Sequence, residues 1–319
     1  MIFYIFIFIV SCVLLYFSGE WVVGGLMRVA RFLGWREFVI AFFVMAFAAS
    51  LPNLLVGITS ALRHIPQLSF GDIAGNNLVA LTLGVALATF FAKGGLPAES
   101  RTIQTTSIFT MMAAILPLIL ILDGNLSRID GVLLIIFFVF YLIWLFSKKE
   151  RFTKVYDTHK IPVLKEFKLF IKDLGKVILG IIFLIIAAQG IVASAHFFAL
   201  NFNLSLILIG VLITGLGSTL PEIYFAIASA RKGETWMILG DLMGAVIIPA
   251  TLVLGIVALI CPISNIDFSP FAIARIFLII SAVFFFFFVR TDRVITKKEA
   301  SFLLGIYISF VLIEILIGS

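Results

Sequence analysis

The chain has 319 residues, of which 62 % are hydrophobic and 13 % charged, with a formal net charge of +6. Soluble domains carry about 25 % charge, so this balance excludes a soluble domain and indicates an integral membrane protein. The basic surplus suggests a nucleic-acid partner, but its distribution along the chain excludes one.

A spanning helix needs roughly 20 mostly apolar residues. Ten segments qualify: 2–17, 37–62, 69–92, 101–122, 131–147, 173–196, 203–230, 234–262, 269–289 and 299–317. Continuous apolar runs such as Phe284 to Phe288 argue for helices, because barrel strands alternate. The first segment lacks the basic start and small-residue cleavage site of a signal peptide, and is read as span one.

Loops between spans alternate sharply in charge. The odd-numbered loops hold 20 Lys and Arg: Arg28, Arg31, Arg36, Lys93, Arg101, nine between 148 and 176, Arg231, Lys232, Arg290, Arg293, Lys297 and Lys298. The even-numbered loops hold Arg63, Arg128 and Arg275. Cytoplasmic loops collect Lys and Arg. A multi-pass protein of the cell membrane is therefore expected, with both termini outside and loop 148–172 cytoplasmic. The surplus charge reflects topology and attraction to lipid headgroups.

The basic linker 148–172 divides the chain into 1–147 and 173–319, each with five spans. Its part Val163 to Ile171 reads as solvated linker or as a basic amphipathic helix on the membrane surface. Five is odd, so the second half enters the membrane from the opposite side. The expected fold is all-α and integral to the membrane: ten transmembrane helices as two inverted five-helix repeats, an arrangement found in secondary transporters.

The halves share a motif. Ala48-Ala49-Ser50-Leu51-Pro52-Asn53 and Gly71-Asp72-Ile73-Ala74-Gly75 recur as Gly217-Ser218-Thr219-Leu220-Pro221-Glu222 and Gly240-Asp241-Leu242-Met243-Gly244. The offset from Pro52 to Pro221 is the same as that from Asp72 to Asp241. Proline within a span removes a backbone donor. The small and hydroxyl residues around it are expected to open or kink the helix and free carbonyls, which membrane-depth backbone tolerates only where buried or lining a cavity. Hard cations take such carbonyls together with carboxylates.

Glu222 lies in mid-span with no Lys or Arg within a turn. A carboxylate there is expensive and marks a functional site, so a bound cation or a proton is its expected partner. Asp72 and Asp241, near the starts of spans three and eight, either cap helix amides or add charge to the site. Asn76 and Asn77 offer amide oxygens in the first half; the second half has Ala245 and Val246 there. Cys12 and Cys261 show no metal or disulfide spacing and read as packing residues. Histidines 64, 159 and 196 lie at loops or span ends, and Glu314 is expected to snorkel. The metalloprotease, phosphate-loop and nucleophile-elbow patterns are missing, so neither an enzyme nor a resident cofactor is expected.

This pair of motifs resembles the α-repeats of the cation/calcium exchanger superfamily, in particular prokaryotic sodium/calcium exchangers, across essentially the whole chain. The family pattern is Gly-Thr-Ser-Leu-Pro-Glu followed by Gly-Asn-x-x-Gly-Ser in each half. The resemblance implies alternating-access antiport of Na+ and Ca2+ around ions held midway. Carried over by position, its two Glu fall on Asn53 and Glu222, and its hydroxyls on Ala49, Ser50, Ser218 and Thr219. The Asn after glycine falls on Asp72 and Asp241, the later serine on Asn76 and Ala245, and a further ligand position on Ala80 and Pro249. The implied cation ligands are thus Glu222, Asn53, Ser50, Ser218, Thr219, Asp72, Asp241 and Asn76. Two functional readings stand beside sodium/calcium antiport: a proton-coupled cation exchanger, and a non-transporting relative with a binding or regulatory role.

Overall fold

The computed structural model describes residues 2–32, 45–147, 163–202, 205–233, 235, 238–264 and 271–317. The start of predicted span two, residues 148–162 of the linker, and the first residues of predicted spans seven, eight and nine lie outside the described residues. The described chain is almost entirely helical. Among the described residues eight helices are long and apolar enough to cross a membrane, and the apolar helical stretch Phe47–Leu62 is shorter.

In chain order the helices are α1 (Ile2–Phe32), α2 (Met45–Ala49), α3 (Leu51–Leu62), α4 (Pro66–Val79), α5 (Val85–Phe91), α6 (Arg101–Leu120) and α7 (Arg128–Ser147). The second half follows with α8 (Val163–Phe202), α9 (Leu206–Ile209), α10 (Gly215–Lys232), α11 (Ile238–Ile248), α12 (Leu254–Ile260), α13 (Ala272–Arg290) and α14 (Lys297–Ile317). Single π-helical turns join α4 to α5 at Ala80–Gly84, α9 to α10 at Gly210–Thr214, and α11 to α12 at Pro249–Val253.

The repeat is visible in the backbone itself. The π turns at Ala80–Gly84 and Pro249–Val253 occupy equivalent positions, related by the same offset as the two motifs. In each, a buried threonine, Thr82 or Thr251, donates back to the carbonyl four residues earlier. Spans Pro66–Phe91 and Ile238–Ile260 are the two most deeply buried. Around them α14 packs on α5 as α7 packs on α12, and α13 packs on α4 as α6 packs on α11.

Two capping boxes also follow the repeat. Ser127 and Asp130 exchange side-chain-to-backbone bonds at the start of α7, and their equivalents Thr296 and Glu299 do the same at the start of α14. The acid satisfies an amide at the helix entry while the hydroxyl caps the first turn. Ser127→Ala and Thr296→Ala are each expected to cost about 1 kcal/mol, read as a lowered melting temperature of the purified protein.

Short β contacts tie loops of like parity. Leu96–Pro97 pairs antiparallel with Val294–Ile295, joining the third and ninth loops. Leu126 bridges Ile263, joining the fourth and eighth.

Several expectations are corrected. Span one does not stop at 17: α1 runs to Phe32, because the apolar stretch after Glu20 continues the helix. Of the two readings of residues 163–171, solvated linker or amphipathic helix, the helical one is observed, continuous with α8. The two prolines act differently. Pro52 follows a real break at Ser50, whereas Pro221 lies inside an unbroken α10 whose irregularity sits earlier, in the π turn. Glu314 does not snorkel: it is buried, with neither carboxylate oxygen hydrogen-bonded.

Candidate cation site

The site is built where α4 meets α9 and α10. Glycines allow their backbones to touch. A Cβ on Gly71 would lie 2.3 Å from the Ile207 carbonyl oxygen, and one on Gly75 would lie 2.3 Å from that of Val211. Reciprocally, Gly210 and Gly215 face the backbone nitrogens of Asp72 and Asn76. Small residues four apart, as Gly71 and Gly75 are, give close approach between membrane helices, and the π turn spaces Gly210 and Gly215 by five.

That approach brings polar side chains of the two halves together. Ser218 donates to Asp72 Oδ1 at 3.3 Å and to the Gly215 carbonyl at 3.1 Å. Thr219 lies 2.9 Å from Asn76 Oδ1, and Asn76 Nδ2 donates to the Ala245 carbonyl at 2.8 Å. Asn76 and Ala245 are equivalent positions of the two repeats, so this bond crosses the pseudo-two-fold axis. Asn76 is thereby committed to protein partners through both amide atoms.

Asp72 lies in the second turn of α4 and is fully enclosed, so capping the first turn is not its role. Asp241 is in the first turn of α11, where capping stays compatible with its position. Glu222 is 3 % exposed and its Oε2 has no hydrogen-bond partner. Oδ2 of Asp72 and Oδ2 of Asp241 are likewise buried and unpartnered. Both aspartates lie in the neighbourhood of Glu222. Asn53, the counterpart of Glu222, is 1 % exposed with both amide atoms unpartnered. Ser50 is buried beside it in sequence, at the break between α2 and α3. Among the described residues, no three His, Cys, Asp or Glu side chains converge on one point as a metal cluster. The three acids share a region without closing on a single ion.

Exchange of the two halves exposes an asymmetry. The equivalent of Asp72–Ser218 is Asp241–Ala49, and the equivalent of Asn76–Thr219 is Ala245–Ser50. Alanine removes the second partner in the one pair and the first in the other. Among the described residues, the Asp72–Ser218 and Asn76–Thr219 side-chain pairs join α4 to α10.

Two hydroxyls around this region were not among the expected ligands, and a third oxygen belongs to Asn77, whose amide was expected to be available. Thr214, in the π turn, lies beside Asp72. Ser69, one turn before Asp72 and packed against Gly57, has a buried unpartnered hydroxyl. Asn77 Oδ1 is also buried without a partner. The available signal was hydroxyl and amide spacing: Ser69 precedes Asp72 by three residues, and Thr214 precedes Ser218 by four.

The sodium/calcium exchanger protein family model matches residues 3–147 and 173–316. The chain belongs to the sodium/calcium exchanger protein family. An uncharacterised membrane protein of Methanocaldococcus jannaschii is 27 % identical over 277 residues, covering 86 % of this chain and 88 % of its own. The sodium/calcium exchanger MaX1 of Methanosarcina acetivorans is 22 % identical over 342 residues, covering 96 % and 97 %. The solved sodium-calcium exchanger NCX_Mj, soaked with Na+ and Sr2+, superposes with a TM-score of 0.66 at 25 % identity, covering 98 % of each chain. This exchanger is thus a multi-pass membrane protein and a cation antiporter by family, not an enzyme.

Proposed function

We propose that this exchanger moves Na+ against Ca2+ by alternating access, around a cation site at the crossing of α3, α4, α10 and α11. The observation that carries this reading is Glu222, a buried carboxylate with a free oxygen beside two further acids. Among the described residues no Lys or Arg pairs with it; the ion pair found there is Arg28–Asp173. An unpaired buried charge is costly, and a transported cation supplies the missing partner. Asn53, Ser50, Ser218, Thr219, Asp72 and Asp241 complete the proposed ligand region, and Asn76 holds its two halves together. With Asn53 in place of the family's acid, charge is concentrated in the second half.

Proton coupling is the second reading, and the crowding of three carboxyls with unpartnered oxygens favours it. Protonation relieves like-charge repulsion where no cation is bound. Charge distribution further supports both termini outside and loop 148–172 in the cytoplasm.

Reconstituted vesicles separate these readings. A sodium gradient is expected to drive calcium-45 uptake at uniform pH. Uptake driven by a proton gradient without sodium would establish the second reading instead. No uptake under either gradient, together with no saturable Na+ or Ca2+ binding by calorimetry, would sink both and leave a non-transporting relative.

A further inference from the structure

Helices α1 and α8 pack antiparallel, and their mutual contacts obey the repeat. At one end Tyr4 stacks on Phe197, with ring centroids 3.9 Å apart and 11° between planes. The equivalents of these two residues are Asp173 and Arg28, and they too are paired, at 2.8 Å. The pair is therefore symmetric within itself.

Its docking on the rest of the protein is not symmetric. Arg63, at the end of α3, donates to Gln189 Oε1 on α8. By the same repeat offset, the equivalents of Arg63 and Gln189 are Lys232 at the end of α10 and Glu20 on α1. These are opposite charges at positions whose counterparts touch. Yet Glu20 accepts from Tyr16 at 3.1 Å, Lys232 is exposed, and among the described residues the two form no ion pair. Likewise α8 packs more extensively on α3 than α1 does on α10. Internal symmetry kept, with external symmetry broken, is the mark of a rigid pair displaced toward one end of its travel. For an inverted repeat, exchanging the conformations of the halves gives the other end.

We propose that Arg63–Gln189 and Glu20–Lys232 are alternating latches of the α1–α8 pair: when it shifts as a body, the first opens and the second closes. Arg63 falls in an even loop and Lys232 in an odd one, so the latches stand at opposite membrane faces. Exposed pairs of this kind are weak, which suits a switch that must reverse in every cycle. The inference rests on the alternating-access reading above.

Cysteine cross-linking in vesicles tests it, on a Cys12→Ala, Cys261→Ala background. One variant carries Arg63→Cys with Gln189→Cys, the other Glu20→Cys with Lys232→Cys. The expected result is reciprocal: ionic conditions that raise one cross-link lower the other, and either cross-link stops uptake until reduced. If the parent exchanges cations but the 20/232 pair never cross-links, or both cross-link together regardless of ions, the latch is refuted and the transport reading stands. Reciprocal cross-linking in a parent that moves no cation would support the latch and overturn the transport reading. If the cysteine variants fail to fold, charge reversal decides. Glu20→Lys is expected to slow uptake severalfold and Glu20→Lys with Lys232→Glu to restore it; an equally slow double variant counts against the latch.

Discussion

Glu222→Gln is expected to abolish sodium-driven calcium uptake while leaving the protein folded. Glutamine keeps the shape of the side chain, removes its charge and turns one acceptor oxygen into an N–H donor. A hydrogen bond or ligand contact to a charged group is worth roughly 1.5–3 kcal/mol, which corresponds to a loss of about 10- to 150-fold in cation affinity. No hydrogen bond is lost at Oε2, which has no partner. The repulsion from Asp241 and Asp72 disappears. Thermal stability in ion-free detergent should therefore hold or rise, while stabilisation by added Na+ or Ca2+ shrinks. Calorimetric titration and thermal scans check both halves. Unchanged binding with a sharply lower melting temperature would make Glu222 a structural residue.

Gly75→Ala is expected to be among the most damaging conservative substitutions in the chain. Its Cβ would meet the Val211 carbonyl oxygen at 2.3 Å and Val211 Cα at 2.7 Å. These are backbone atoms and cannot swing aside, so α4 must withdraw from the Gly210–Thr214 turn. Overpacking costs typically about 1–3 kcal/mol, and here it also pulls Asn76 from Thr219 and from the Ala245 carbonyl. Gly71→Ala should behave alike, against Ile207. Gly305→Ala is the control: nothing lies within 4 Å of its Cβ, and alanine favours the helix by up to about 1 kcal/mol. Melting temperatures of the three proteins check the ranking. A Gly75→Ala protein as stable as Gly305→Ala would show that the α4–α10 seam tolerates separation.

Membrane class, repeat and motif were legible because they are one-dimensional properties. Hydropathy sums along a window, loop charge alternates along the chain, and a constant offset between two motifs is counted directly. The same offset returns in the π turns and the capping boxes. Less legible was where the helices end. Span one reads as ending at 17, yet α1 continues past Glu20 to Phe32. Pro221 reads as a break, yet α10 accommodates it.

By itself, then, the sequence determined a two-fold membrane scaffold, its family, and the residues from which a cation site would be drawn. Tertiary structure decided which of them meet. Asn76 is turned into a cross-axis tie by the Ala245 carbonyl, and Ser218 is set on Asp72. Glu314 is enclosed rather than exposed, and among the described residues the three site acids share a region without converging on one point. The physical reason is that spacing along a helix specifies a face but not its partner. That choice is made where Gly71, Gly75, Gly210 and Gly215 let two backbones touch.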